Sequence, residues 1–193
     1  MKISDLLSQY LYQQKELVLE GFGVFHLDPT VNVQDAKEPQ QVYQGIIPEH
    51  ALGAITVAER ARRWTASLAT AGPNEAILVG TSEGRIAGLG HCGLQRTPTL
   101  PFPGEFFCVY VAPQAQRQGV GTALMIAMAR FLIGRGMAGA SLWVARDNLA
   151  ARRFYDRLAG TVWAEKEEVR PDFALPEVAY VWRDVSMIYE AQL

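Results

Sequence analysis

The sequence predicts an α/β (α+β) protein: a mixed central sheet flanked by helices, with a small helix-and-hairpin appendage at its front. Three observations carry that expectation. From residue 42 onward, strand-like and helix-like segments alternate in an order that requires mixed strand directions. In "EFFCVYVAPQAQRQGVGTALM" an apolar strand passes into a helix through two glycines and an arginine. Ahead of residue 41 the order reverses, a helix preceding a hairpin, and the stretch 28–41 is polar with Pro29 and Pro39, as in a linker.

The elements follow in chain order. Residues 3–14 place Ile3, Leu6, Leu7, Tyr10 and Leu11 on one helical face. In "LVLEGFGVFHL" (17–27) apolar alternation brackets Gly21 and Gly23, the pattern of a tight hairpin. Thr56-Val-Ala-Glu59 is a capping box, and it opens a helix that runs to about Ala69 with Trp64 on its buried face. "EAILVGTSEGRIAGLGHCGL" reads as strand, Ser-Glu-Gly turn, strand. A loop with Pro98, Pro101 and Pro103 leads into a strand over 105–111, which Pro113 closes. Then come a helix over 117–133, a strand over 139–145, a helix over 148–158, and strands near 161–170 and 178–188.

Composition narrows the function classes. A chain of 193 residues with 49% hydrophobic content suits one compact domain, here 41–193, plus the small segment 1–40. No apolar run reaches the ~20 residues of a membrane span, and the start lacks an apolar signal core, so a cytoplasmic protein is expected. Cys92 and Cys108 both sit in apolar strand-like runs, where reduced core residues are expected. No Cys/His spacing of the metal type occurs, so no metal is expected. The net charge of −2 argues against nucleic acid as a partner. Yet between Ala112 and Gly160 seven arginines (117, 130, 135, 146, 152, 153, 157) face only Asp147 and Asp156, a patch suited to an anionic small molecule.

A glycine inside a helix costs about 1 kcal/mol relative to alanine, so Gly119 and Gly121 need a reason. One reading is an anion seat: bare amides at a helix N-terminus, the dipole behind them, and Arg117 beside them. The other is a tight packing point of helix on strand with no ligand at all. The short pattern leaves both open. It is neither a dinucleotide fingerprint nor a P-loop, because the third glycine and the Gly-Lys-Ser/Thr are missing.

"VYVAPQAQRQGVGTALM" resembles the acetyl-coenzyme A signature of the GNAT acyltransferase superfamily, with Gln116, Gly119 and Gly121 at its defined positions. Further on, "LWVARDNLAARRFYDRLAG" is similar to the family's second signature through Asn148, Ala151, Phe154 and Tyr155, and "PEVAYVWRDV" resembles its last strand. The likeness spans roughly 42–188 and implies the GNAT fold, in which two central strands splay apart. It implies that the backbone of Val109, Tyr110 and Val111 pairs with the pantetheine arm. The amides of Arg117, Gln118, Gly119, Val120, Gly121 and Thr122 would hold the pyrophosphate, and Asn148 would steady the pantetheine. The implied activity is transfer of an acetyl group from acetyl-CoA to the primary amine of a small molecule or protein.

Tyr155 is then the candidate general acid, since a phenol of pKa ~10 is protonated at neutral pH and can serve a thiolate whose thiol titrates near ~8.5. Glu105 matches the carboxylate that acts as general base in some members, and His91 is a rival base on the neighbouring strand. A non-catalytic acyl-CoA-binding protein is the alternative reading. The front segment is similar to a shortened HU-type module, and it reads either as a small appended module or as a foreign, recombined piece. It carries Lys2, Lys15 and Lys37 against Asp5, Glu16, Glu20, Asp28, Asp35 and Glu38, the wrong sign for phosphate contact, so DNA binding is not carried over. Its apolar helix face would cover the body or form a homodimer contact.

Overall fold

The computed structural model describes residues 44–54, 57–82 and 85–190, with backbone alone at 17–19, 23–25, 54, 57–61 and 85. The expected helix over 3–14, the linker 28–41 and Thr56 of the capping box lie outside the described residues. Strands β1 (Leu17–Leu19) and β2 (Gly23–Phe25) pair antiparallel as a two-stranded sheet of their own, with Leu17 opposite Phe25. Helices α1 (Glu49–Ala54) and α2 (Val57–Thr70) follow. Strands β3 (Ala76–Ser82), β4 (Arg85–Leu94) and β5 (Gly104–Val111) then run as an antiparallel meander.

A 3₁₀ turn at Pro113–Ala115 leads into α3 (Val120–Gly134), which returns the chain to β6 (Ala140–Ala145), parallel to β5. Helix α4 (Leu149–Arg157), strands β7 (Thr161–Val169) and β8 (Ala174–Trp182), and the short α5 (Met187–Glu190) complete the order. The six-stranded sheet has the order β3-β4-β5-β6-β8-β7, and β5–β6 is its one parallel pair among the described residues.

Three expected boundaries move by three residues or more, one of them the start of the last strand, which lies at Ala174 and not near 178. The helix begins at Val120 and not at 117, because Arg117 (φ 62°) and Gly119 (φ 84°) both adopt left-handed backbone that a helix cannot include. The last strand ends at Trp182 and not near 188: Asp184 Oδ1 accepts the Ser186 N–H at 2.9 Å, and that turn starts α5.

Helix α3 lies against one sheet face. It buries Leu124, Met125, Met128, Ala129 and Leu132, the four larger side chains each contributing about 1.5–3 kcal/mol by leaving water. The close approach is possible because Gly88 and Gly90 lie beneath it: a Cβ at Gly88 would stand 2.9 Å from Leu124, and one at Gly90 would stand 2.9 Å from the Met128 sulfur. Phe106, Tyr155, Tyr180 and Trp182 belong to the same core. On the opposite face Leu100 and Phe102, from the proline-rich loop, cover Ala179 and Val181. Trp64 of α2 meets His91 there, with ring centroids 5.9 Å apart.

Candidate active site

The parallel pairing of β5 with β6 is only two residues long, Gly104 with Ala140 and Glu105 with Ser141. Beyond them the strands part. Burial records the separation: Gly104, Glu105 and Phe106 are buried, whereas 107–111 are only partly so, although β5 is a central strand. From Phe106 to Val111 the strand keeps its pairing with β4 and has none with β6, which exposes backbone groups along one side. A bulge at Phe107, between the pairs His91–Cys108 and Cys92–Phe106, bends β5 at this level. Val109, Tyr110 and Val111 thus border the gap. Val111 O, however, accepts a hydrogen bond from Gln116 Nε2 at 3.3 Å.

The glycine turn closes the wide end of the gap. Gln116, Arg117, Gln118 and Gly119 are exposed, and Gln118 Nε2 donates to Gln114 O at 2.7 Å. Gly119 is the N-cap of α3 and offers no side-chain acceptor, so the first-turn amides of Val120, Gly121 and Thr122 lack the usual side-chain cap. The two glycines answer to different demands. A Cβ on Gly119 would meet nothing within 4 Å, so its positive φ is what requires glycine. A Cβ on Gly121 would stand 3.3 Å from the Phe154 ring and 3.4 Å from Val111, which makes that position a packing point between α3, α4 and β5. The packing reading therefore describes Gly121, while Gly119 answers to backbone conformation. The turn also fits an anionic ligand: a left-handed, side-chain-free N-cap, uncapped amides, and the Arg117 charge.

Asn148 caps α4, its Oδ1 accepting the Ala151 N–H at 3.1 Å. Phe154 and Tyr155 follow within that helix, so the second signature fixes where the phenol lies. Tyr155 is 8% exposed, inclined against Tyr180 with centroids 5.6 Å apart and edge-on to Trp182 at 6.1 Å. Tyr180 donates its hydroxyl to Asp156 Oδ1 at 2.8 Å. Burial first, and Asp156 with it, holds the Tyr180 phenol above its ordinary pKa against the opposing pull of Arg152.

At the narrow end Glu105 is 4% exposed and fully engaged by Arg96. Arg96 Nη2 donates to Oε1 at 2.8 Å, and the Arg96 backbone N–H donates to Oε2 at 2.8 Å. Gln95 Nε2 donates to the buried Ser141 Oγ across the same junction. Neither Gln95 nor Arg96 is marked by any sequence motif; only the fold brings them to the vertex. His91 stands on the face opposite α3, edge-on to Phe107 at 4.6 Å, with Nε2 3.5 Å from Glu75 Oε2. Burial, its largest influence, keeps His91 below its ordinary pKa although Glu75 pulls the other way. Among the described residues no group of three or more His, Cys, Asp or Glu side chains could hold a metal, and no helix is long and apolar enough to cross a membrane.

Comparison with known proteins bears on this geometry. The chain is 27% identical over 147 residues to the uncharacterized N-acetyltransferase YuaI of Bacillus subtilis, covering 76% of this chain and 82% of that protein. It is 34% identical over 88 residues to the mycothiol acetyltransferase of Pseudarthrobacter chlorophenolicus, covering 45% of this chain and only 27% of that one. Among solved structures, yncA of Salmonella typhimurium, a putative acetyltransferase with its cofactor acetyl-CoA, superposes with a TM-score of 0.52 at 21% identity, over 66% of this chain and 73% of that one. The PaiA N-acetyltransferase of Thermoplasma acidophilum, in complex with coenzyme A, gives 0.57 at 13% identity, over 92% and 94%. These likenesses show the fold. Residues 40–160 match the acetyltransferase (GNAT) family, so the chain, with its splayed strands and glycine turn, belongs to the GNAT acetyltransferases.

Proposed function

We propose that the protein transfers the acetyl group of acetyl-CoA to a primary amine by direct attack on the thioester, with Tyr155 as general acid. The observation that carries this reading is the two-residue pairing of β5 with β6, which leaves a backbone-lined gap between the glycine turn and a vertex at Glu105. Acetyl-CoA supplies the activated acyl group as a thioester. The protein's part is mainly positioning.

In this reading the amides from Arg117 to Thr122 hold the pyrophosphate, and the gap-facing backbone groups of Val109 and Val111 pair with the pantetheine amides, while Tyr110 between them turns its backbone groups to β4. The Asn148 carbonyl oxygen is committed to the α4 cap, so its contribution to the pantetheine falls to the side-chain amino group. Tyr155 holds its phenolic proton at neutral pH and delivers it to the departing sulfur. Glu105 keeps a carboxylate at the vertex. Both its oxygens accept hydrogen bonds from Arg96.

The experiment is coenzyme A release with a panel of primary amines, comparing wild type with Tyr155→Phe. The variant should lose about 10²-fold in kcat while binding coenzyme A as wild type does. Equal loss of turnover and coenzyme affinity would make Tyr155 a packing residue. Saturable binding without turnover for any amine would leave a non-catalytic acyl-CoA-binding protein.

A further inference from the structure

Acetylation of an ammonium requires a proton acceptor, and Glu105 is occupied by Arg96. Among the described residues, the buried side-chain polar atoms without a hydrogen-bond partner are Nε2 of His91 and Nε1 of Trp143. The register places them on one sheet face, opposite α3, on either side of the gap. His91 pairs with Cys108 of β5, beside the Phe107 bulge. Trp143 stands two residues past Ser141, the last β6 residue that β5 pairs with. Glu75 Oε2 faces His91 Nε2 from 3.5 Å, just beyond hydrogen-bond contact, so Trp143 Nε1 is the donor this face leaves for a polar molecule.

We propose that His91, oriented by Glu75, takes the proton from the acceptor amine on this face. The inference rests on the acetyl transfer proposed above. Glu75 approaches Nε2 at 3.5 Å, so the neutral tautomer that carries its hydrogen on Nε2 turns it toward the carboxylate and keeps the Nδ1 lone pair for the amine. Edge-on contact with Phe107 and the tilted Trp64 ring fix the imidazole plane. The charged and titratable groups around it are Glu75 ahead of β3, Arg96 after β4 and Cys108 across on β5, while α2 presents Trp64. Burial holds His91 neutral at neutral pH, and Glu75 steadies the imidazolium once it forms.

The protons and electrons balance. The ammonium gives one proton to His91, which passes it to solvent. The freed lone pair forms the C–N bond, the C–S bond breaks with its electrons on sulfur, and Tyr155 protonates that sulfur. The second nitrogen proton restores the phenol, so one proton leaves per turnover.

The test uses the full chain, acetyl-CoA, and whichever of tyramine, an amino-acid amide or a polyamine turns over fastest, from about pH 5 to 9. In wild type, kcat/KM should fall on the acid side with an apparent pKa below about 6.5. His91→Gln should lower kcat/KM about 10²-fold near neutrality. Its loss should shrink as pH rises and the free amine becomes available in solution, with coenzyme A affinity and thermal midpoint preserved. Glu75→Gln should shift the acid limb to lower pH, since Glu75 raises the His91 pKa. Glu105→Gln should leave the limb in place.

A His91→Gln enzyme within about threefold of wild type at every pH would overturn the proposal alone, as would a loss equal at all pH values. Disappearance of the limb in Glu105→Gln would hand the role to Glu105. Should His91→Gln fail to fold, an NMR titration of His91 in wild type decides: a histidine that titrates at or above its ordinary value refutes the neutral base. Wild type that binds coenzyme A and acetylates no amine would overturn the transfer reading, and this inference with it.

Discussion

Alanine at Gly119 and at Gly121 separates the two demands on the glycine turn. At Gly119 a Cβ meets nothing within 4 Å, so sterics against neighbours contribute nothing. The cost is conformational: at φ 84° an L-residue loses about 1–2 kcal/mol relative to glycine. For a chain of this size each kcal/mol shifts the thermal midpoint by about 2–4 °C, so Gly119→Ala should lower Tm by about 2–8 °C. At Gly121 the new methyl presses on Phe154 at 3.3 Å and on Val111 at 3.4 Å. A ring yields by the few tenths of an ångström this asks, costing about 1 kcal/mol, and the helix-propensity gain of alanine offsets about as much. Gly121→Ala should therefore keep Tm near the wild-type value. Coenzyme A affinity, measured by calorimetry, should divide the same way. A distorted Gly119 turn loses at least one charge-assisted hydrogen bond, about 1.5–3 kcal/mol or roughly 10–100-fold in Kd. The Gly121 methyl points at Phe154 and Val111 and should change Kd little. A Tm loss in Gly121→Ala as large as in Gly119→Ala would refute the packing argument. An unchanged Kd in Gly119→Ala would refute the anion seat.

Gly88→Ala should be the more damaging change, because its Cβ would stand 2.8 Å from the Tyr110 carbonyl oxygen, which is backbone and cannot swing aside. Loss of about 2–3 kcal/mol, read by denaturant unfolding, should come with weaker coenzyme A binding as α3 shifts; wild-type stability would contradict the close approach of helix and sheet. Stability should also depend on pH through His91. Its pKa is lowered in the folded state, so the unfolded chain takes up the proton first as pH falls. The fold should lose stability below about pH 6.5 and stop losing it at the lower folded-state pKa, a slope that His91→Gln should flatten.

Much of this arrangement is legible in the chain because its punctuation is local. Pro113 ends β5, and the strand–turn–strand pattern followed by a further apolar run gives the meander β3–β4–β5. What escaped the pattern is of two kinds. Arg117 adopts φ 62° although it is not glycine, so periodicity carried the expected helix three residues too far toward its start. Likewise the Asp184–Ser186 turn sits inside an apolar stretch that reads as continuous strand. The second kind is tertiary. Arg96 on Glu105, Gln95 on Ser141 and Glu75 near His91 join segments with no shared motif, and only the folded sheet brings them together. Glu105 could be read as a candidate base from its place on the strand, but not as a carboxylate already bound.

Those same tertiary contacts explain why the gap opens where it does. A parallel pair in a central position is ordinarily buried and continuously hydrogen-bonded, so a separation after two residues leaves β5 backbone groups that must be met by water or ligand. Such a gap is useful only if it neither zips shut nor spreads. Residues 95 and 96, directly after β4, hold its vertex from outside: Arg96 fastens Glu105 on β5, and Gln95 reaches past that strand to Ser141 on β6. At the wide end Gly121 lets Phe154 of α4 seat against α3, which sets how far the two helices stand apart. With both ends fixed in advance, the cost of ordering a long flexible thioester falls on its binding and not on the acyl transfer step. That division is what a catalyst working chiefly by position requires.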